Sequence, residues 1–148
     1  MVFQWKLKMS VPVEDAAAEL DRIFREHGEI DPQTVVDESR PEGAVLHNLF
    51  DWDDASAAEK YRLTQARFII RNIVQEEETA EGPVVVRGYH STERSYLPTT
   101  VIMSDADMRE MLLDRALKEL EEFQAKYRHL AALAGVFEAI EQVERPVA

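Results

Sequence analysis

The sequence predicts an α+β fold: a helix-turn-helix-like three-helix unit, a small antiparallel sheet, and a long C-terminal helix. Three observations carry this. Phe3, Trp5, Leu7 and Met9 alternate with Gln4, Lys6 and Lys8, the period of a half-buried strand. From Val13 to Ile73 the apolar residues recur at helical spacing, punctuated by Gly28 and Asp31-Pro32. After Ser104 the helical pattern runs almost to the end. The organisation read from this is residues 1–103 as an α+β domain and 104–148 as a helix for self-association.

Pro12 fixes its φ and ends the first strand. Ala16, Leu20, Ile23 and Phe24 then share one helical face. Glu14 and Asp15 suit the positive N-terminal end, and Gly28 suits the left-handed stop. Asp31 is a cap and Pro32 a preorganised first position for a second, short helix, with Val35 and Val36 inward. It ends before Pro41-Glu-Gly43. A third helix follows Phe50-Asp-Trp-Asp-Asp54. Ser56-Ala-Ala-Glu59 matches a capping box, with Asp53 or Asp54 as rival caps. Ala57, Tyr61, Ala66 or Phe68, Ile69 and Ile73 supply its apolar side, and Trp52 beside Phe50 staples it to the preceding helices.

Glu76 to Glu81 reads as a solvated acidic link. Pro83 to His90 and Ser95 to Ile102 read as paired strands with a tip at 90–94, and Pro98 places part of the second on an edge. Ala116, Leu120, Phe123, Tyr127, Leu130, Ala134 and Phe137 then recur at alternating spacings of four and three, a heptad seam. Unbroken, this last helix of about 40 residues is ~60 Å long. A stripe of that length exceeds what a small domain covers, so Leu120, Phe123, Tyr127, Leu130 and Phe137 are the expected self-association residues. Gly135 is the point where the helix kinks, or where a hairpin folds back on the seam.

Composition narrows the chemistry. There is no cysteine, which excludes disulfides, thiolate zinc, thiol nucleophiles and iron–sulfur clusters. The net charge is −12, a field that repels nucleic acid and anionic lipid at long range. No apolar run approaches the ~20 residues of a membrane span, and the N-terminus lacks a signal-peptide core. The expectation is a cytoplasmic protein with no membrane partner.

The charge is uneven. Residues 55–75 carry four basic side chains and one acidic, whereas residues 1–54 carry five and thirteen. The simpler reading of this basic island is internal pairing with the acidic segments. The other is an anion site built from Lys60, Arg62, Arg67, Arg71, Arg87 and Arg94, because the planar guanidinium fork suits phosphate. The order of elements also fits a winged helix, with Arg62, Gln65 and Arg67 toward DNA, but an acidic chain argues against that role. His47, Asp51, Asp53 and Asp54 lack the spacing of a calcium loop, and capping explains the aspartates. The remaining histidines, His27, His90 and His129, are scattered. No nucleophile elbow or glycine-rich phosphate loop is present. No catalytic residue, metal or cofactor is therefore expected.

Residues 28–42, then Leu46-His47, Phe50-Asp-Trp-Asp-Asp and Ala57-Ala-Glu-Lys-Tyr-Arg-Leu-Thr-Gln-Ala-Arg67, resemble a group of short proteins encoded by phages, prophages and other bacterial mobile elements. Ala116 to Leu130 and Val136-Phe-Glu-Ala-Ile140 are similar to the same group. The resemblance implies a bacterial or phage origin in the host cytoplasm. It carries no activity and no site residue. The function expected is a non-enzymatic, self-associating accessory protein that binds another macromolecule, a host or phage protein. The alternatives are a winged-helix nucleic-acid binder and an oligomeric binder of a nucleotide or other small phosphate-bearing ligand.

Overall fold

The computed structural model describes residues 2–53 and 55–143. It is an α+β fold of two compact units, residues 1–100 and 101–148. Asp54, a candidate cap and ligand by its sequence position, lies outside the described residues, as do the side chains of Ser56 and Ala57.

The first unit opens with strand β1 (Phe3–Trp5), helix α1 (Val13–His27) and helix α2 (Pro32–Glu38). Gly28 closes α1 at φ 75°, and its N–H donates to the Phe24 carbonyl at 2.7 Å. Asp31 caps α2 by accepting the Gln33 N–H at 2.7 Å, with Pro32 at the first position. Helix α3 (Ser56–Asn72) runs directly into strand β2 (Ile73–Thr79), which pairs with β1 on one side and β3 (Gly82–Arg87) on the other. All of these pairings are antiparallel. A second small sheet joins β4 (Tyr89–Ser91) to β5 (Tyr96–Pro98), and a two-bond bridge ties Ile30 to Tyr96.

The core lies between these elements. Ala16, Leu20 and Ile23 of α1, Val35 and Val36 of α2, and Ala66, Ile69 and Ile70 of α3 are fully buried with Ile30, Leu46 and Ile73. Tyr89 is buried too, its hydroxyl 3.2 Å from Asp21 Oδ1 and 3.4 Å from the Ala17 carbonyl. Burial beside that carboxylate pushes the phenol well above its ordinary range, and burial raises the Asp21 carboxyl.

The expected hairpin is displaced. Residues 76–81 are no link: Glu76, Glu77 and Glu78 belong to β2, and the tight turn is Ala80-Glu81. In β2 the buried Ile73 and Gln75 alternate with partly or fully exposed Val74 and Glu76, so the strand tolerates glutamates on its wet side. The segment 95–102 is strand only to Pro98, and helix α4 (Thr99–Ser104) follows. Helix α3 has Ala55 at its N-cap, and the side chain of Ser56, on which the expected capping box rests, lies outside the described residues.

β1 is also shorter than its alternation predicts. Asn72 intercepts it: its Oδ1 accepts the Leu7 N–H at 2.7 Å and its Nδ2 donates to the Leu7 carbonyl at 2.8 Å. The buried amide thus imitates a paired strand and leaves Leu7 exposed.

The second unit corrects the continuous C-terminal helix. Helix α5 (Ala106–Tyr127), capped by Asp105, stops at Arg128. The chain turns through a 3-10 segment, Ala131–Leu133, into α6 (Ala134–Glu141). The break precedes Gly135, which sits inside α6. Tertiary packing outweighs helix propensity here. The return brings Phe137 to 6.3 Å from Phe123, ring centre to ring centre, and leaves it 8% exposed. Phe123 also lies 5.0 Å from Tyr127, and Gln124 donates to Glu141 at 3.0 Å. So the seam is divided: Phe137 is consumed within the unit, while Leu120, Phe123 and Leu130 remain exposed.

Asn72→Ala leaves both Leu7 backbone groups without this partner. It is expected to cost about 1–3 kcal/mol, measured by urea unfolding, with no change in the helical content of the folded protein.

Candidate functional site

The six basic residues expected to form one anion site separate into four places. Helix α3 sets this by its own period. Arg62 falls on its core side, and Lys60, Arg67 and Arg71 fall outside.

Arg62 is 3% exposed. Its Nε donates to the Asp51 carbonyl, its Nη2 to the Asp53 carbonyl at 2.8 Å, and its Nη1 lies 3.4 Å from Glu59 Oε2. Its guanidinium stacks 5.0 Å from the Trp52 ring centre. Trp52 is held by a parallel His47 ring at 5.0 Å, and its indole N–H donates to the His47 carbonyl. His47 Nδ1–H donates to the Ser39 carbonyl at 2.8 Å. Arg40 lies on the same indole and pairs with Asp37 and Glu59. Gln33 and Arg40 hold the Glu59 carboxyl below its ordinary range. Arg62 is therefore a structural clamp and not part of an accessible anion site. His47 and Asp51, weighed as metal ligands, serve the same loop: Asp51 accepts the Asp53 N–H at 3.2 Å. Phe50 packs 5.4 Å from Trp52, as the staple required.

Arg67 and Arg94 line one cleft of about 390 Å³ with Thr92, Ser95 and Tyr96. Asp31 and Glu93 line it as well, so its formal charge cancels. Lys60 lines neither this cleft nor the next.

Arg71 and Arg87 line a groove of about 440 Å³ on the outer face of the three-stranded sheet. Lys6, Gln4, Trp5, Val74, Val85 and Val86 complete it, with no carboxylate. The strand register explains the convergence. Trp5 pairs with Ile73 and Val74 pairs with Arg87, which brings Lys6, the end of α3 and the end of β3 together. Lys6 was legible only as the polar side of an alternating strand. Its nearness to Arg71 depends on a pairing across more than sixty residues. Among the described residues, Lys6, Lys60, Arg67, Arg71, Arg87 and Arg94 form no ion pair, so internal salt pairing describes Arg62 alone.

A cluster that sequence spacing did not reveal lies where α1 meets α2. Ligand-type atoms of Glu26, His27 and Glu38 fall within 4.8 Å of one another. Arg22 already pairs with two of these three, Glu26 at 2.7 Å and Glu38 at 2.9 Å, and with Glu19 at 2.6 Å. These three carboxylates push the guanidinium far above its ordinary value, and Arg22 with His27 holds Glu38 low. A cation entering here has to displace a guanidinium, so the cluster serves as a cross-link between two helices.

These contacts set the response to substitution and to acid. Arg62→Ala is expected to lose about 1.5–3 kcal/mol in thermal or urea unfolding, because its bonds are charge-assisted and buried. Arg67→Ala, on the surface, is expected to change stability by less than ~0.5 kcal/mol. Glu38 has a depressed folded-state pKa, so its contribution is present above the ordinary glutamate value and lost as pH falls through the depressed one. Glu38→Gln is therefore expected to flatten the acid side of the stability curve, read as unfolding midpoints between pH 6 and pH 3.

Comparison of the chain with family models, with curated proteins and with solved structures finds no match.

Proposed function

We propose that this chain is a non-enzymatic, self-associating accessory protein of phage or prophage type, acting in the bacterial cytoplasm. It uses the groove of Lys6, Arg71 and Arg87 to hold an acidic segment of another protein. The observation that carries this reading is the groove's sign. Three cations meet without a carboxylate in a chain whose net charge is −12. Charges screened beyond ~8–10 Å leave such a local site effective at contact while the whole molecule repels polyanions.

The same geometry disfavours the winged-helix alternative. The helix that would enter a groove commits Arg62 to the carbonyls of the preceding loop, and the hairpin beside it carries Glu76, Glu77, Glu78 and Glu81. A long polyanion lying on the sheet meets those carboxylates; a short acidic segment does not. A small phosphate-bearing ligand remains the runner-up for the same three cations. No described helix is long and apolar enough to cross a membrane.

Self-association is supported by apolar side chains that the second unit leaves exposed, among them Met111, Leu113, Leu120, Phe123 and Leu130. Leu120→Glu is expected to lower the mass seen by light scattering at micromolar concentration with the protein still folded. A wild-type protein that stays monomeric at high concentration removes this part of the proposal.

The groove is tested by fluorescence anisotropy with a labelled Asp/Glu-rich peptide, duplex DNA and inorganic phosphate as competitor. The peptide is expected to bind, and Lys6→Ala with Arg71→Ala to weaken it by about tenfold or more, since each lost charge-assisted bond is worth ~1.5–3 kcal/mol. Arg67→Ala is expected to have no effect. Tighter binding of DNA with a steep salt dependence overturns the reading in favour of the winged helix. Competition by phosphate at low concentration favours the small ligand.

A further inference from the structure

Strand β3 is an edge of the three-stranded sheet, and its sequence is Gly82-Pro-Val-Val-Val-Arg87. Val84 is 40% exposed and Val85 56%. An exposed apolar edge of this kind is a template for another strand. Its backbone shows which strand.

The β2–β3 register continues to Ile73 and Gly88, where the Gly88 N–H donates to the Ile73 carbonyl at 3.0 Å. Antiparallel ladders alternate, so Gly82, Val84 and Val86 turn their N–H and C=O toward β2, and Pro83, Val85 and Arg87 turn theirs outward. Two outward groups are missing or already satisfied. Pro83 has no N–H. The Arg87 carbonyl accepts the Thr99 hydroxyl at 2.6 Å. Among the described residues, what remains is the Pro83 carbonyl, both groups of Val85, and the Arg87 N–H.

We propose that β3 pairs antiparallel with β3 of a second copy, about a two-fold axis at Val85, to make one six-stranded sheet. In that register each Val85 N–H donates to the other copy's Val85 carbonyl. Each Arg87 N–H donates to the other copy's Pro83 carbonyl. The absent proline donor falls opposite the carbonyl that Thr99 already satisfies, so no outward group on β3 is left over. Centring the axis on Arg87 opposes two arginines and two occupied carbonyls. Centring it on Pro83 supplies no donor. The side chains agree with the Val85 axis. Val84 meets Val86 on one face, twice, and Val85 meets Val85 on the other. Arg87 lies opposite Pro83, beyond which, on the same face, stands Glu78. The contact is isologous and closes as a dimer. It uses no residue of α5 or α6, so it is a second self-contact beyond the helical one.

The chain contains no cysteine, so Val85→Cys introduces the sole thiol. At the axis the two Cα atoms lie ~5.5 Å apart, inside the ~4.4–6.8 Å span of a disulfide. Val84→Cys is the register control, because its copies sit diagonally, about 7–8 Å apart, too far to bridge. Mild oxidation of the full chain is expected to give a covalent dimer for Val85→Cys and monomer for Val84→Cys on non-reducing gels, with circular dichroism unchanged for both. The Val85→Cys dimer is expected to form equally in a Leu120→Glu background, which separates this contact from helical self-association. A Val85→Cys protein that stays monomeric overturns the proposal. So does equal cross-linking of Val84→Cys, or loss of the Val85 disulfide when Leu120 is replaced.

Discussion

A guanidinium inside a protein must be given back the hydrogen bonds it had in water, and the demand of Arg62 shapes the first unit. The side chain is drawn inward by its place on α3, between the buried Ala66 and the loop that precedes the helix. Its donors are met by the Asp51 and Asp53 carbonyls, which forces residues 51–53 to wrap over the start of α3. Trp52 is then fixed against the guanidinium, His47 against Trp52, and Ser39 at the end of α2 against His47. Arg40, Glu59 and Gln33 close the circuit on the outside. One buried charge therefore ties α2, the long connection and α3 together.

The parts of the fold that were legible in the sequence are those fixed by local chemistry. Gly28 and Asp31-Pro32 bound α1 and α2 because a left-handed stop and a proline-led start need no distant partner. The parts that were not legible depend on remote contacts. Glu76 to Glu78 looks like a solvated link until β1 and β3 flank it. Then Gln75, not a glutamate, takes the buried position and the charges fall mainly on the open side. Asn72 is inconspicuous as a sequence letter, yet its amide ends β1 by bonding Leu7 across 65 positions. The turn after Tyr127 has no glycine or proline at its start. It forms because Phe137 gains more by meeting Phe123 than by continuing a straight seam.

The candidate site divides along the same line. The sign of the island was visible, but its grouping was not. A helical period distributes Arg62, Arg67 and Arg71 to three surroundings, and only the sheet register decides which strand residues join each. Arg71 gains Lys6 and Arg87 without an acid, whereas Arg67 gains Arg94 together with Asp31 and Glu93. Equal residues in sequence become a charged groove in one case and a neutral cleft in the other.

The three-stranded sheet consequently carries separate chemistry on each of its boundaries. Its inner face, through Ile73 and Gln75, closes the core. Its outer face holds the cations at the α3 end and the glutamates toward the turn, a gradient along β2 of a few residues. Its free edge is apolar, and its backbone groups are left over in a self-complementary set. A charged edge would be the usual protection against unwanted pairing. Here the selectivity lies in the backbone. Pro83 withholds one donor and Thr99 occupies one acceptor, so a strand in a shifted register meets an unsatisfied group where an aligned one meets none. An edge constrained in this way discriminates among partners by its hydrogen-bonding groups alone, and the partner that fits it with no remainder is the same strand turned through a two-fold axis.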